Sequence, residues 1–177
     1  SPMRQVCIGR LGIRPRLVYH GAFAVEHRRM PPDSDAYTSK TPCIGLCSTV
    51  FGDLVCRGCK RFSHEIIDWN RYDNSQRAAV WNRLEQLLEQ LIWNRFELVS
   101  VWALEGELKR LKVPADQNMP VCIKVWRLLP RLAEGGLASA GLRLQPLWHG
   151  STLKQVRDNL DQAFFDLSTA YYDRRVP

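Results

Sequence analysis

No apolar run in the 177 residues approaches the roughly 18 needed for a helix to cross a bilayer, so a helical membrane span is excluded. Residues 1–30 carry arginines but have neither a clean apolar centre nor a small-residue cleavage site, and no secretory signal is expected. The sequence also lacks a glycine-rich phosphate loop, the nucleophile elbow of a hydrolase and an HExxH zinc motif. His20, His27 and His149 are scattered and compose no triad. There is no internal repeat, and no heptad run long enough for a coiled coil. These absences remove the familiar catalytic signatures and the repeat architectures. Hydrophobic residues at 45% and charged residues at 24% are ordinary globular values, which argues against wholesale disorder.

What the sequence has in excess is positive charge, with a net of +7. Residues 1–40 hold seven Lys or Arg against three Asp or Glu, whereas residues 41–75 hold four of each. A cationic arm of this kind either attracts phosphate or simply adds solubility. The segment from Arg29 to Pro42 is rich in Pro, Ser and Asp and reads as a linker.

Cysteine is concentrated. Cys43, Cys47, Cys56 and Cys59 form a C-x3-C-x8-C-x2-C array, leaving only Cys7 and Cys122 elsewhere. Without an export signal the expected compartment is the reducing cytoplasm, where clustered thiols serve as metal ligands more often than as disulfides. Two loops that each present two sulfurs can close a tetrahedral site. Gly58 and Gly45 relieve the backbone inside the pairs, and Gly52-Asp53 marks a turn from which "STV" and "LVC" could form a short hairpin. Spacing and charge fit zinc and an iron–sulfur cluster alike. His64 is expected on the surface rather than as a ligand, and Cys122 as an apolar filler in a buried helix.

The remaining elements follow from periodicity. Ser63 is expected to cap a short helix that turns Ile66, Ile67 and Trp69 inward. Asp73 and Gln76 have capping-box spacing ahead of a long helix with Val80, Leu84, Leu87, Leu88 and Leu91 on one face. A strand is expected within Arg95–Leu104, with continued helix as the alternative, and a second in "GLRLQPLW", with helices over "EGELKRLKV" and from Pro120, and a last helix opened by Ser151. The fold class is therefore mainly α: a basic arm and linker over 1–40, a four-cysteine module over 41–74, and a helical domain over 75–177 with room for one small sheet. Most of the six tryptophans are expected in the core, although an exposed pair near Arg57, Lys60 and Arg61 could stack on bases.

The run "TPCIGLC", then "CRGCKRFSHEIIDW", then "DNSQRAAVWNRL" resembles the YdhL-like family, a bacterial domain family of unassigned function whose members are labelled predicted iron–sulfur proteins. Matching residues include Pro42, Ile44, Gly58, Arg61, Glu65, Ile66, Trp69 and Arg77, and the resemblance spans about residues 41–90. It implies that the four cysteines ligate one site. Three functional classes follow from the whole reading. The first is a small metal-bearing accessory protein with a protein partner, whose site is structural or redox-sensing. The second binds nucleic acid through the arm and the Arg57, Lys60 and Arg61 knuckle. The third is an iron–sulfur electron carrier or enzyme. Four cysteines close the coordination shell and no acid–base pair is visible, so the first class leads.

Overall fold

A computed structural model of the chain describes residues 35–175. The basic arm with Cys7 lies outside these residues. A capped run of apolar periodicity gives the central helix. The Asp73 carboxylate accepts the backbone N–H of Gln76 at 2.8 Å, and the Gln76 side chain accepts the Asp73 N–H at 3.0 Å, so two of the orphan donors at the helix start are satisfied. From there the chain is helical over Asn74–Trp93.

In chain order the elements are α1 (Asp35–Thr38), α2 (Ser63–Ile67), α3 (Asn74–Trp93), β1 (Phe96–Leu98), α4 (Val101–Arg110), α5 (Val121–Leu128), β2 (Leu142–Leu144) and α6 (Leu153–Arg175). The fold is mainly helical, with one small antiparallel sheet in which Phe96 faces Leu144 and Leu98 faces Leu142. α3 lies at the centre and packs against both α5 and α6. Leu84, Leu88 and Ile92 of α3 meet Ile123 and Val125 of α5 and Val156, Leu160 and Phe164 of α6 in one buried cluster. Burying such side chains is worth roughly 1.5–3 kcal/mol each.

Several local expectations are revised. Only three residues of Arg95–Leu104 are extended; Ser100 then caps α4, its hydroxyl accepting the Ala103 N–H, and Leu104 enters the core as a helical residue. Thr152, not Ser151, caps α6, exchanging hydrogen bonds with Gln155. Ile67 faces solvent although Trp69 is buried. The expected hairpin is absent among the described residues: Thr49–Phe51 is a 3-10 turn, and Val55 bridges to Phe62 instead. Residues 35–40, read as linker, carry Tyr37 into the core, edge-on to Trp81 at 5.5 Å, while the Trp81 indole N–H reaches the Lys40 carbonyl at 3.1 Å. Trp69 and Trp81 are buried as expected, but Trp102 is 90% exposed.

Cys122 is buried, as its helical setting implied. Burial above all, aided by Glu85 and Glu89, pushes its thiol up from 9.0 to about 12. Tyr37 is pushed from 10.0 to about 12, again mainly by burial and next by Glu85. Both groups therefore stay protonated in the fold at pH values where the unfolded chain ionises, and both favour folding fully below those unfolded values. Stability should fall as pH rises from about 9 towards 12, by up to about 1.4 kcal/mol per pH unit for each group. Denaturant unfolding at stepped pH should show a shallower alkaline fall for Tyr37→Phe than for the unaltered protein, chiefly above pH 10.

Candidate metal centre

Residues 54–62 turn back on themselves around the second cysteine pair. Cys56 N–H donates to the Arg61 carbonyl and Lys60 N–H to the Cys56 carbonyl, both at 2.8 Å. The reversal places Lys60 at φ 60°, a left-handed conformation uncommon for a residue with a Cβ. Its side chain is fully buried. The ammonium pairs with Asp161 of α6 and donates to the carbonyls of Arg57 and, at 3.3 Å, Gly58.

The two cysteine loops are in backbone contact. A Cβ on Gly58 would lie 2.1 Å from the Leu46 carbonyl oxygen, so only glycine fits there. Arg57 N–H also donates to the Ser48 hydroxyl at 2.8 Å, tying the C-x2-C turn to the residue after Cys47.

Each sulfur has its own setting. Cys56 is buried, and burial opposes its ionisation. Backbone N–H groups of Cys59, Ser48 and Gly58, with the Cys59 thiol, outweigh that cost and hold Cys56 below its ordinary value. Its own S–H can reach the Leu46 carbonyl at 3.4 Å when protonated. Cys59 is buried too. There burial wins and raises the thiol, although Arg61 offsets part of the rise through its side chain, its backbone N–H and its charge. Cys43 is exposed and accepts the Gly45 N–H at 3.4 Å, and Cys47 is half-buried with its sulfur 3.1 Å from the Thr49 hydroxyl.

The structure thus brings Cys56 and Cys59 together and lays the Cys43–Cys47 loop against them. Among the described residues, no group of three or more His, Cys, Asp or Glu side chains is gathered closely enough to hold a metal ion. The donor chemistry at Cys56 nevertheless fits a soft cation: its surroundings favour thiolate, the form that ligates metal.

The cations of the "CRGCKR" run are not the outward-facing set expected for nucleic acid. Lys60 is 0% and Arg61 3% exposed. Arg61 donates its Nε–H to the Cys59 sulfur at 3.3 Å and lies 4.9 Å from the Trp69 ring. Arg57 alone of the three faces solvent, over the Phe165 ring at 4.5 Å and 3.3 Å from the Asp53 carboxylate. His64 is exposed, beside Phe62 and Tyr172.

Two contacts that seat the module escaped the sequence reading. Glu65 accepts the Phe62 N–H at 2.9 Å, which starts α2, and its carboxylate meets Arg83 of α3 at 2.5 Å in a buried pair. Arg83 also covers the Phe62 ring at 3.9 Å. A charged residue on the α3 stripe, three after Val80 and four before Leu87, was the available signal for a buried partner. Asp161 stays largely exposed on α6, and nothing in its local sequence marked it as the partner of Lys60.

Residues 41–88 match a family model described as a protein of unknown function (DUF1289). The match covers both cysteine loops, α2 and most of α3. No curated protein matches the chain, and no solved structure does.

The Gly58 contact yields a paired test. Gly58→Ala should force the loops apart and lower amide-exchange protection of residues 43–62 by tenfold or more. Gly106→Ala, where an added Cβ meets nothing within 4 Å on helix α4, should instead stabilise by roughly 0.5–1 kcal/mol. Hydrogen exchange of both variants beside the unaltered protein measures the two effects.

Proposed function

We propose that Cys43, Cys47, Cys56 and Cys59 hold one metal centre, a zinc ion or an iron–sulfur cluster, and that the protein is a small accessory or interaction protein built around it. The observation that carries this reading is the seating of the two cysteine loops on each other, with Gly58 packed against the Leu46 carbonyl and the Arg57 N–H donating to the Ser48 hydroxyl. The Cys56 sulfur lies 3.4 Å from the Leu46 carbonyl, so it too is met by the other half of the array.

The buried guanidinium of Arg61 supports the same reading. A buried cation is costly unless an anion accompanies it. Among the described residues Arg61 has no carboxylate in ion-pair range, and its hydrogen-bond acceptor is the Cys59 sulfur. Four thiolates around a divalent ion or an oxidised cluster carry net negative charge, which answers that need. When bound, the metal would supply the positive charge that keeps all four sulfurs ionised. Closing the site requires the exposed Cys43 and the half-buried Cys47 to turn towards the buried pair.

The role is structural or redox-sensing. The cysteine loops carry few buried apolar side chains of their own, so ligation supplies a large part of their folding energy. Leu46, Val50 and Phe51 stand exposed on the same loops, Phe51 at 88%, which supports a protein partner over a freestanding module.

Anaerobic purification followed by elemental analysis and an absorption spectrum tests the centre. One zinc per chain with no visible band, or iron with sulfide and a visible band, supports the reading and chooses the metal. Cys43→Ser, Cys47→Ser, Cys56→Ser and Cys59→Ser should each lose most of the metal, whereas Cys7→Ser and Cys122→Ser should retain it. A full complement of metal in Cys56→Ser would falsify the assignment.

A further inference from the structure

Beside Cys43 the fold leaves a groove of about 500 Å³, within the size range of small-molecule sites. Ile44 and Trp126 supply apolar walls, and Lys40, Arg127 and Arg131 line it with positive charge. That charge is poorly compensated. Lys40 meets Asp116 only at 3.9 Å and is largely exposed. Arg127 is half-buried, donates to the Pro114 carbonyl at 3.2 Å and lies 5.7 Å from the Trp81 ring. Among the described residues neither Arg127 nor Arg131 has a carboxylate within ion-pair range. Asp161, the acid lining the groove, is already neutralised by buried Lys60.

A half-desolvated guanidinium without an anion is a costly arrangement, and two further cations beside it raise the local potential. Two guanidinium groups without a carboxylate partner, beside the weakly paired Lys40, suit a dianion better than a monocarboxylate, and two guanidinium forks match the geometry of phosphate oxygens. We propose that this groove binds a phosphate-bearing ligand of mononucleotide size, its phosphate taken by Lys40, Arg127 and Arg131 and its flat apolar part set against Trp126 and Ile44. The ligand is a free nucleotide or the end of a single strand, which share this chemistry. The site rests on the groove and its charges and does not depend on the metal reading.

Calorimetric titration of the full-length protein with adenosine 5′-monophosphate, with adenosine and with a short 5′-phosphorylated single strand tests it. The phosphate-bearing probes should bind at least about tenfold more tightly than adenosine, and more weakly as salt rises. Arg131→Glu and Lys40→Glu, both at exposed positions, should each weaken binding about tenfold, while Arg174→Glu, an exposed cation of α6 outside the groove, should not. Tighter binding of the strand than of the mononucleotide, with the same dependence on Arg131, makes nucleic acid the source; equal or tighter binding of the mononucleotide makes it the free nucleotide. Equal affinity for adenosine and its monophosphate, an Arg174→Glu loss as large as that of Arg131→Glu, or no binding of any probe overturns the proposal.

Discussion

The buried ammonium of Lys60 ties the C-x2-C turn to the last described helix. Lys60 has no exposed surface, and an unpaired charge in that setting would cost several kcal/mol. Its counter-ion, Asp161, comes from a helix 101 residues further along the chain. The carbonyls of Arg57 and Gly58 take further Lys60 donors, so the same side chain also stiffens the C-x2-C turn from within. Remove the pair and both the shape of the turn and its seat on α6 lose their support. The left-handed backbone at Lys60 is a cost of the tight reversal, offset by what its side chain reaches.

Two other charged residues of this region follow the same inward logic. Arg61 is spent on a sulfur and an indole face, and Glu65 on Arg83. A sequence that reads as a basic knuckle thus folds into a set of internal counter-ions. Outward positive charge collects instead along the groove beside Cys43, between the Lys40–Ile44 segment and the end of α5. Charge counted along a chain does not say which way the charge points.

Legibility in the sequence varied with the range of the interaction. The α3 cap was readable because Asp73 and Gln76 satisfy each other within three residues, and the apolar faces of α3 and α6 were readable because period alone sets them. The strands were placed, but where Arg95–Leu104 passes from strand to helix was not readable, since Trp102 and Leu104 suit a helix as well as a strand. The "STV" hairpin failed because the partner that Val55 prefers, Phe62, lies on the far side of the cysteine turn. Tyr37 was lost in a proline- and serine-rich stretch whose composition says linker while one aromatic ring says core. The cysteine pairs were plain from spacing. What surrounds them was not, because Lys60–Asp161 and Arg83–Glu65 are tertiary pairs with no local signature.

The distance along the chain between Lys60 and Asp161 also sets an order of assembly. Loops closed by nearby residues form early, whereas a contact spanning a hundred residues waits for the chain between. During synthesis the cysteine turn emerges well before α6 exists, and at that stage the Lys60 ammonium has only water and local carbonyls for company. The turn can close on itself then, but it cannot bury its charge. Its final seat becomes available only once α6 has left the ribosome, so the cysteine region completes its structure well after its own residues have emerged.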